Sequence, residues 1–385
     1  MQTITTTQAL ADFCARAASH DYVTLDTEFL RERTYYSKLC LIQMAFAGDG
    51  QDDAVLIDPL ADGLSLDPLY ALFQDETVVK VFHAARQDLE IFFHDRGILP
   101  RPFFDTQVAA MVCGFGEQVG YETLVRKLAR ANLDKSSRFT DWSRRPLSDK
   151  QKAYALADVT HLRVIYEKLR EKLNASGRTS WVAEEVETLL SAETYDASPE
   201  AAWQRIKTRS SSRRFLGYVK ELATFREAYA QERDIPRNRV LKDDALMELA
   251  ATKPKSMSEL GKSRLLLREA RKGAVAEGLL AAIERAEGIA DRDLPKVPVQ
   301  RAKPQGQEAL SDLLRVLLKA KAEQSGVAQK LIATSSDLDE LPGDDGSHPV
   351  FRGWRGEVFG KDARLLCDGK VALSADGSQV KIVKL

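Results

Sequence analysis

Cysteine is sparse and scattered in this chain. Cys14, Cys40, Cys113 and Cys367 include no C-x-x-C pair, and the five histidines do not fall near them at zinc-finger spacing. A disulfide framework and a structural zinc site are therefore not expected. Net charge is missing too: 56 basic side chains meet 57 acidic ones, for a formal charge of -1. Any nucleic-acid contact must then come from local clustering and not from global charge. No run approaches the roughly 18 apolar residues of a membrane span. The N-terminus MQTITTTQALADFCARA has no basic segment followed by an apolar one. The expectation is a soluble, cytoplasmic protein with no membrane contact. Its 385 residues predict two or three domains.

From Tyr22 to about Asp105 the pattern predicts three strands, YVTLDTEF, KLCLIQMAF and DAVLIDP, joined by short polar connections as an antiparallel meander. A helix (LDPLYALFQ), a strand (VVKVFHA), a helix closed by Gly97 (RQDLEIFFHDRG) and a short strand (PFFDT) follow. This order predicts a mixed sheet with helices on its faces. After Thr106 almost everything up to Leu190 reads as helical, most clearly SDKQKAYALADVTHLRVIYEKLREKL behind the N-cap Ser148. Polar connections around Pro199 and a linker with Pro295, Pro298 and Pro304 divide the chain into residues 1–195, 203–290 and 305–385. The last unit ends in short strands with an Asp376-Gly377 hairpin signal.

The first strand holds an electrostatic problem. Side chains at i and i+2 share a face, so Asp26 and Glu28 point together and repel. Either this end of the strand is solvated or a cation is shared between the acids. Asp88 lies on a helix that starts directly after a strand, so it can reach over the strand's end. Tyr154 and Asp158 are four apart on a helix and share one face. Taken singly, each has an ordinary reading, as a solvated acid or as a core tyrosine bonded to an acid.

Together they resemble the DEDD exonuclease superfamily, tyrosine subtype: D-T-E-F on the first strand, an acid about sixty residues on, then Y-x-x-x-D. LIQMAF, His83 with Ala84, and FDT at Asp105 add supporting context. The resemblance implies an α/β ribonuclease-H-like exonuclease domain, with Asp26, Glu28, Asp88, Tyr154 and Asp158 as catalytic residues. It further implies two divalent metal ions, Mg2+ or Mn2+. Four carboxylates, about minus four together, suit two ions that prefer hard oxygen donors. By resemblance Asp26, Glu28 and Asp158 hold the ion that activates water, and Asp26 serves the leaving-group ion with Asp88 supporting through water. Tyr154, protonated near neutral pH, suits orienting that water. Around them, His83 is a candidate for a phosphate or the second metal, or a structural residue of its turn. Phe29 and Leu30 are candidates for stacking on terminal bases. Arg31, Arg33 and Lys38 are candidates for phosphate contact or plain solvated surface.

From Trp203 to Lys242 eleven Lys and Arg face four Asp and Glu, a local basic footprint. IPRNRVLKD within this unit resembles the helicase-and-ribonuclease-D C-terminal (HRDC) domain, a helical nucleic-acid-binding module. Residues 305–385 are expected to be a second, diverged copy, making the C-terminal part all-α HRDC-type domains. The combination resembles the ribonuclease D family. That implies a 3′–5′ exoribonuclease releasing nucleoside 5′-monophosphates, acting on tRNA precursors and other small structured RNAs; it implies no obligate protein partner. The alternatives are the same chemistry on DNA, and a non-catalytic RNA-binding protein with a dead nuclease fold.

Overall fold

A computed structural model describes residues 2–48, 50–134, 137, 140–208, 210, 212–296 and 307–385. An N-terminal strand, β1 (Gln2–Ile4), and helix α1 (Thr7–Ala17) precede the expected elements. Neither was anticipated; β1 has three residues and buries only Ile4. Thr6 caps α1, its hydroxyl accepting the Ala9 N–H at 3.3 Å.

The meander is β2 (Tyr22–Leu30), β3 (Lys38–Phe46) and β4 (Ala54–Ile57), antiparallel throughout. Then come α2 (Asp67–Phe73), β5 (Val79–Phe82), α3 (Arg86–Arg96), β6 (Phe103–Asp105), α4 (Thr106–Val112) and α5 (Tyr121–Leu124). The sheet order is β1-β4-β3-β2-β5-β6, with β1, β5 and β6 parallel to their neighbours β4, β2 and β5. The expected mixed sheet is thus observed. On one face Val23, Leu25, Ile42 and Met44 form the main core with Phe13 and Phe92. The other face carries Thr24, Asp26 and Glu28 and is covered by α6 (Asp149–Ser176). Thr24 donates its hydroxyl to the Val159 carbonyl at 2.9 Å, pinning that helix to the strand.

The helical reading between Thr106 and Leu190 needs one correction. Among the described residues, the stretch from 130 to 148 contains no helix. Arg145 holds it to the sheet, donating to Asp58 at 2.6 and 2.7 Å and to the Cys40 carbonyl at 2.6 Å. Such long-range polar contacts override local periodicity. Helix α7 (Thr179–Val186) completes this unit.

The second unit comprises α8 (Arg213–Glu232), α9 (Arg237–Val240), α10 (Asp243–Thr252), α11 (Met257–Leu260) and α12 (Gly273–Gly288), around Val219, Leu222, Leu246, Leu249 and Ile283. The third contains α13 (Glu308–Ser325), α14 (Gln329–Ile332), α15 (Ser335–Glu340), α16 (Gly353–Arg355) and α17 (Lys361–Cys367). It ends in the expected hairpin, β7 (Val371–Asp376) and β8 (Gln379–Lys384), so it is not purely helical. Pro298 and Pro304 of the linker lie outside the described residues.

Both helical units dock on the first. The Tyr35 and Tyr36 N–H groups donate to Asp234 at 2.9 and 3.1 Å, and the Tyr35 hydroxyl donates to Glu227. Trp181 stacks on Trp354 with ring centroids 4.8 Å apart, and Arg355 reaches Glu185 at 2.6 Å. At Gly114 (φ +82°) a Cβ would stand 2.6 Å from the Gly326 carbonyl oxygen, so only glycine permits this approach.

Candidate active site

The pairing of β2 with β5 stops at Thr24 and Val81, while β2 runs on to Leu30. Beyond that point its next residues face the gap where β5 ends and α3 begins. Open sheets place ligands in such a crevice at strand carboxyl ends. Alternation puts Asp26 and Glu28 on the α6 side, where Asp158 projects from the helix. Carboxylate oxygens of Asp26, Glu28 and Asp158 lie within 4.8 Å of one another. Asp26, Tyr154 and Asp158 line a cavity of about 270 Å³ together with His83 and Tyr121.

Asp88 is not one of the three clustered acids. Thr27 points to the opposite face of β2 from Asp26 and donates its hydroxyl to Asp88. That bond hangs Asp88 at the first turn of α3, where the helix dipole favours negative charge. Burial nevertheless pushes its carboxyl up to about 7, against the opposing Thr27 bond. Asp26 is raised well above the usual carboxylate range, first by burial and then by the charges of Asp158, Asp88 and Glu28. Carboxylates this close, at least one of them resisting ionisation, form a site suited to a cation with hard oxygen ligands. The donor set therefore fits a divalent metal ion.

The turn between β5 and α3 is built around Asp105. Its carboxylate accepts the N–H groups of Ala84 at 3.1 Å, Ala85 at 2.9 Å and Gln107 at 2.7 Å. Ala84 sits at φ +56°, a left-handed conformation that costs a non-glycine residue about 1 kcal/mol or more. Asp105→Ala is expected to lower stability by about 1–2 kcal/mol in urea titration. It should also reduce activity, since both His83 and Asp88 flank this turn.

The remaining candidates lie around this centre. Leu30 shares the acids' face and packs against the cluster containing Cys40, Leu41 and Trp142. Phe29 follows a bulge and pairs with Leu39. Arg31 lines a separate cleft of about 850 Å³ between the first and second units. Arg33 and Lys38 are exposed. Sequence reasoning missed Thr27, Thr106, Tyr121 and Gln43. Tyr121 donates its hydroxyl to the Asp158 carbonyl, strapping α5 to the helix that carries the acid. Gln43 pairs across from Asp26, is fully buried, and neither atom of its amide has a hydrogen-bond partner among the described groups. A glutamine inside the apolar run LIQMAF was the available signal for it.

The basic footprint of the second unit is partly consumed internally. Arg214 donates to the Ala286 and Ile289 carbonyls, Arg226 is buried on Asp243, and Arg205 and Arg237 converge on Glu227. Lys207, Arg233, Arg239 and Lys242 remain exposed.

Residues 1–174 match the family model for a 3′–5′ exonuclease, and residues 215–283 match the HRDC domain. The fold and the family models thus define a 3′–5′ exonuclease enzyme joined to an HRDC module. The chain is 63% identical over 383 residues to ribonuclease D of Jannaschia sp. (strain CCS1), covering 100% of this chain and 99% of that protein. It is 46% identical over 381 residues to ribonuclease D of Nitrobacter hamburgensis, covering 99% and 98%. The crystal structure of Escherichia coli RNase D, described as an exoribonuclease involved in structured RNA processing, superposes with a TM-score of 0.82 at 32% identity, covering 96% of this chain and 98% of that one. This chain belongs to the ribonuclease D family.

Proposed function

We propose that the protein shortens RNA from its 3′ end, releasing nucleoside 5′-monophosphates, in the 3′ maturation of tRNA precursors and other small structured RNAs in the cytoplasm. The observation that carries this reading is the convergence of Asp26, Glu28 and Asp158 within 4.8 Å, at a cavity that Tyr154 also lines. Asp26, Glu28 and Asp158 would hold one divalent ion, and Asp26 with Asp88 would serve a second. When bound, Mg2+ or Mn2+ supplies neutralisation of the phosphate, a hydroxide nucleophile and stabilisation of the leaving 3′ oxygen. The chain's own residues do the positioning. Tyr154 stands one helical turn from Asp158, so its hydroxyl is carried on the same face as that ligand and orients the attacking water. Thr27 fixes the rotamer of Asp88 through its hydrogen bond. Trp142 backs the Tyr154 ring at a centroid distance of 6.1 Å.

Residues 307–385 are part of the same proposal, as a second and diverged HRDC copy. Its first three helices repeat the order long, four-residue, intermediate of α8, α9 and α10. Buried Val240, Leu246 and Leu249 of one unit and buried Ile332, Leu338 and Leu341 of the other fall at the same spacing. Gly273 opens α12, one short helix further on than Gly353, which opens α16 directly after α15; their φ values are +65° and +52°. The exposed Lys207, Arg233, Arg239 and Lys242 of the first copy are among the cations available to RNA phosphates.

The test is a 5′-labelled tRNA precursor beside a DNA strand of the same sequence, with Mg2+, Mn2+ or chelator. A ladder growing from the 3′ end of the RNA, absent with chelator, is the expected result. Faster loss of the DNA would transfer the reading to a DNA exonuclease, and no metal-dependent cleavage would leave a binding protein. Tyr154→Phe is expected to lower the rate about 100-fold while the metal-induced rise in melting temperature persists.

A further inference from the structure

We propose that His83 reads the ribose 2′-hydroxyl beside the reacting phosphate, accepting its hydrogen bond at Nε2. The inference rests on the exoribonuclease reading above and names the residue through which RNA is told from DNA. His83 lines the cavity with Asp26, Tyr154 and Asp158, and its tautomer follows from its partners. His83 Nδ1 lies 2.9 Å from Thr106 Oγ1, and Thr106 Oγ1 lies 3.0 Å from the Phe82 carbonyl oxygen. A hydroxyl has one proton, and a carbonyl oxygen only accepts. Thr106 therefore donates to Phe82, and its oxygen accepts from His83 Nδ1–H. Thr106 is fully buried, so solvent does not compete for either bond. With the proton fixed on Nδ1, a neutral imidazole leaves Nε2 as a lone pair. Burial favours that neutral form, lowering the pKa of His83 against the nearby Asp105 charge.

The surroundings hold the ring in place. Asp105 ties down the next two backbone N–H groups, and Ala84 is kept in its left-handed conformation directly after His83. Tyr121 covers the imidazole with ring centroids 5.4 Å apart at 55°. Local strain retained beside a cavity is a recurrent mark of functional positions.

A fixed acceptor selects a donor. A phosphate oxygen also presents lone pairs, so the neutral ring does not suit the phosphate contact considered from the sequence. Amino groups of the bases change from one nucleotide to the next, whereas the enzyme advances through all of them. A 3′-hydroxyl is common to RNA and DNA ends. The 2′-hydroxyl is the donor that recurs at every step along RNA and is absent from DNA.

The experiment uses one 5′-labelled oligoribonucleotide and versions lacking a single hydroxyl: 2′-deoxy at the last nucleotide, 2′-deoxy at the one before it, or 3′-deoxy at the end. An all-DNA strand is included. Single-turnover rates are measured across a Mn2+ titration up to saturation for the full-length wild type, His83→Ala and His83→Gln, and the penalties are compared at saturation. For the wild type, one of the two 2′-deoxy substitutions should cost about threefold to tenfold, the worth of one neutral hydrogen bond. In His83→Ala that penalty should vanish, and in His83→Gln, which retains an amide oxygen, part of it should remain. A penalty of unchanged size in His83→Ala overturns the inference, as does a penalty transferred to the 3′-deoxy substrate. An increased Mn2+ requirement with the penalty intact would mark His83 as a metal ligand instead. Should His83→Ala fail to fold, the penalty in His83→Gln decides by itself, since full retention after loss of the imidazole contradicts the specific geometry. Wild type preferring DNA would remove the exoribonuclease reading; an RNA preference untouched by the variants would remove only the role of His83.

Discussion

Replacing Asp26 by asparagine is expected to lower turnover about 1,000-fold or more while raising the melting temperature of the metal-free protein. The two effects have one cause. Asp26 sits between Glu28 on its own strand and Asp158 on the facing helix, with Asp88 close enough to raise its pKa further. Ionising it without a cation opposes both burial and three like charges. Asparagine has nearly the same shape and no charge, so the repulsion disappears. The substitution also removes the carboxylate that the ions would share, and loss of several kcal/mol of charge stabilisation corresponds to about three powers of ten in rate. Single-turnover cleavage of a 5′-labelled RNA and thermal melting with and without Mn2+ measure both. A variant within tenfold of wild type, or one that melts lower in chelator, would contradict this account of the site. Sites that carry function at a cost in stability behave in this way.

The part of this site that was legible in the sequence is the part that obeys local periodicity. Asp26 and Glu28 share a face because a strand has period two, and Tyr154 and Asp158 because a helix brings i and i+4 together. Asp88 could be placed at the start of a helix after a strand. What could not be read is that it hangs from Thr27, a residue on the opposite face of the sheet from its fellow acids. Thr27 with Asp88, and Tyr121 with the Asp158 carbonyl, are contacts between distant segments and leave no local pattern. The same limit explains the stretch from 130 to 148, where Arg145 bound to Asp58 and Cys40 replaces the expected helix. It also explains the basic footprint. A count of charges does not reveal that Arg214 and Arg226 are committed to carbonyls and an acid inside their own unit. The sequence divides the chain into three units at its polar connections and its proline-bearing linker. Tyr35 bonded to Glu227 and Trp181 stacked on Trp354 show that removing the helical units would strip cover from the nuclease unit itself.

In chelator, the stability of the protein is expected to fall as pH rises from about 5 to 8, and added Mn2+ should restore progressively more of it. Asp88 has its carboxyl pushed up to about 7, and Asp26 is raised well above its usual value. In the unfolded chain both revert to about 4. Between these limits the native state holds protons that the unfolded state has released. The slope of unfolding free energy with pH is then negative, so the contribution is fully present below about pH 4 and lost as pH climbs through 7. For Asp88 this amounts to a few kcal/mol, on the order of the shift itself. Partly buried His83, together with His94 and His161, works in the opposite direction, because each has its pKa lowered. The readout must therefore be a difference between proteins: Asp26→Asn and Asp88→Asn should each flatten the decline seen in wild type. Divalent ions bind the ionised carboxylates, so protons and metal compete for the same oxygens. The Mn2+-induced rise in melting temperature should be small at pH 5.5, larger at pH 8, and largely absent in Asp26→Asn. A Mn2+ effect independent of pH in wild type would show that the ion binds away from these acids, and the electrostatic reading of the cluster would fail with it.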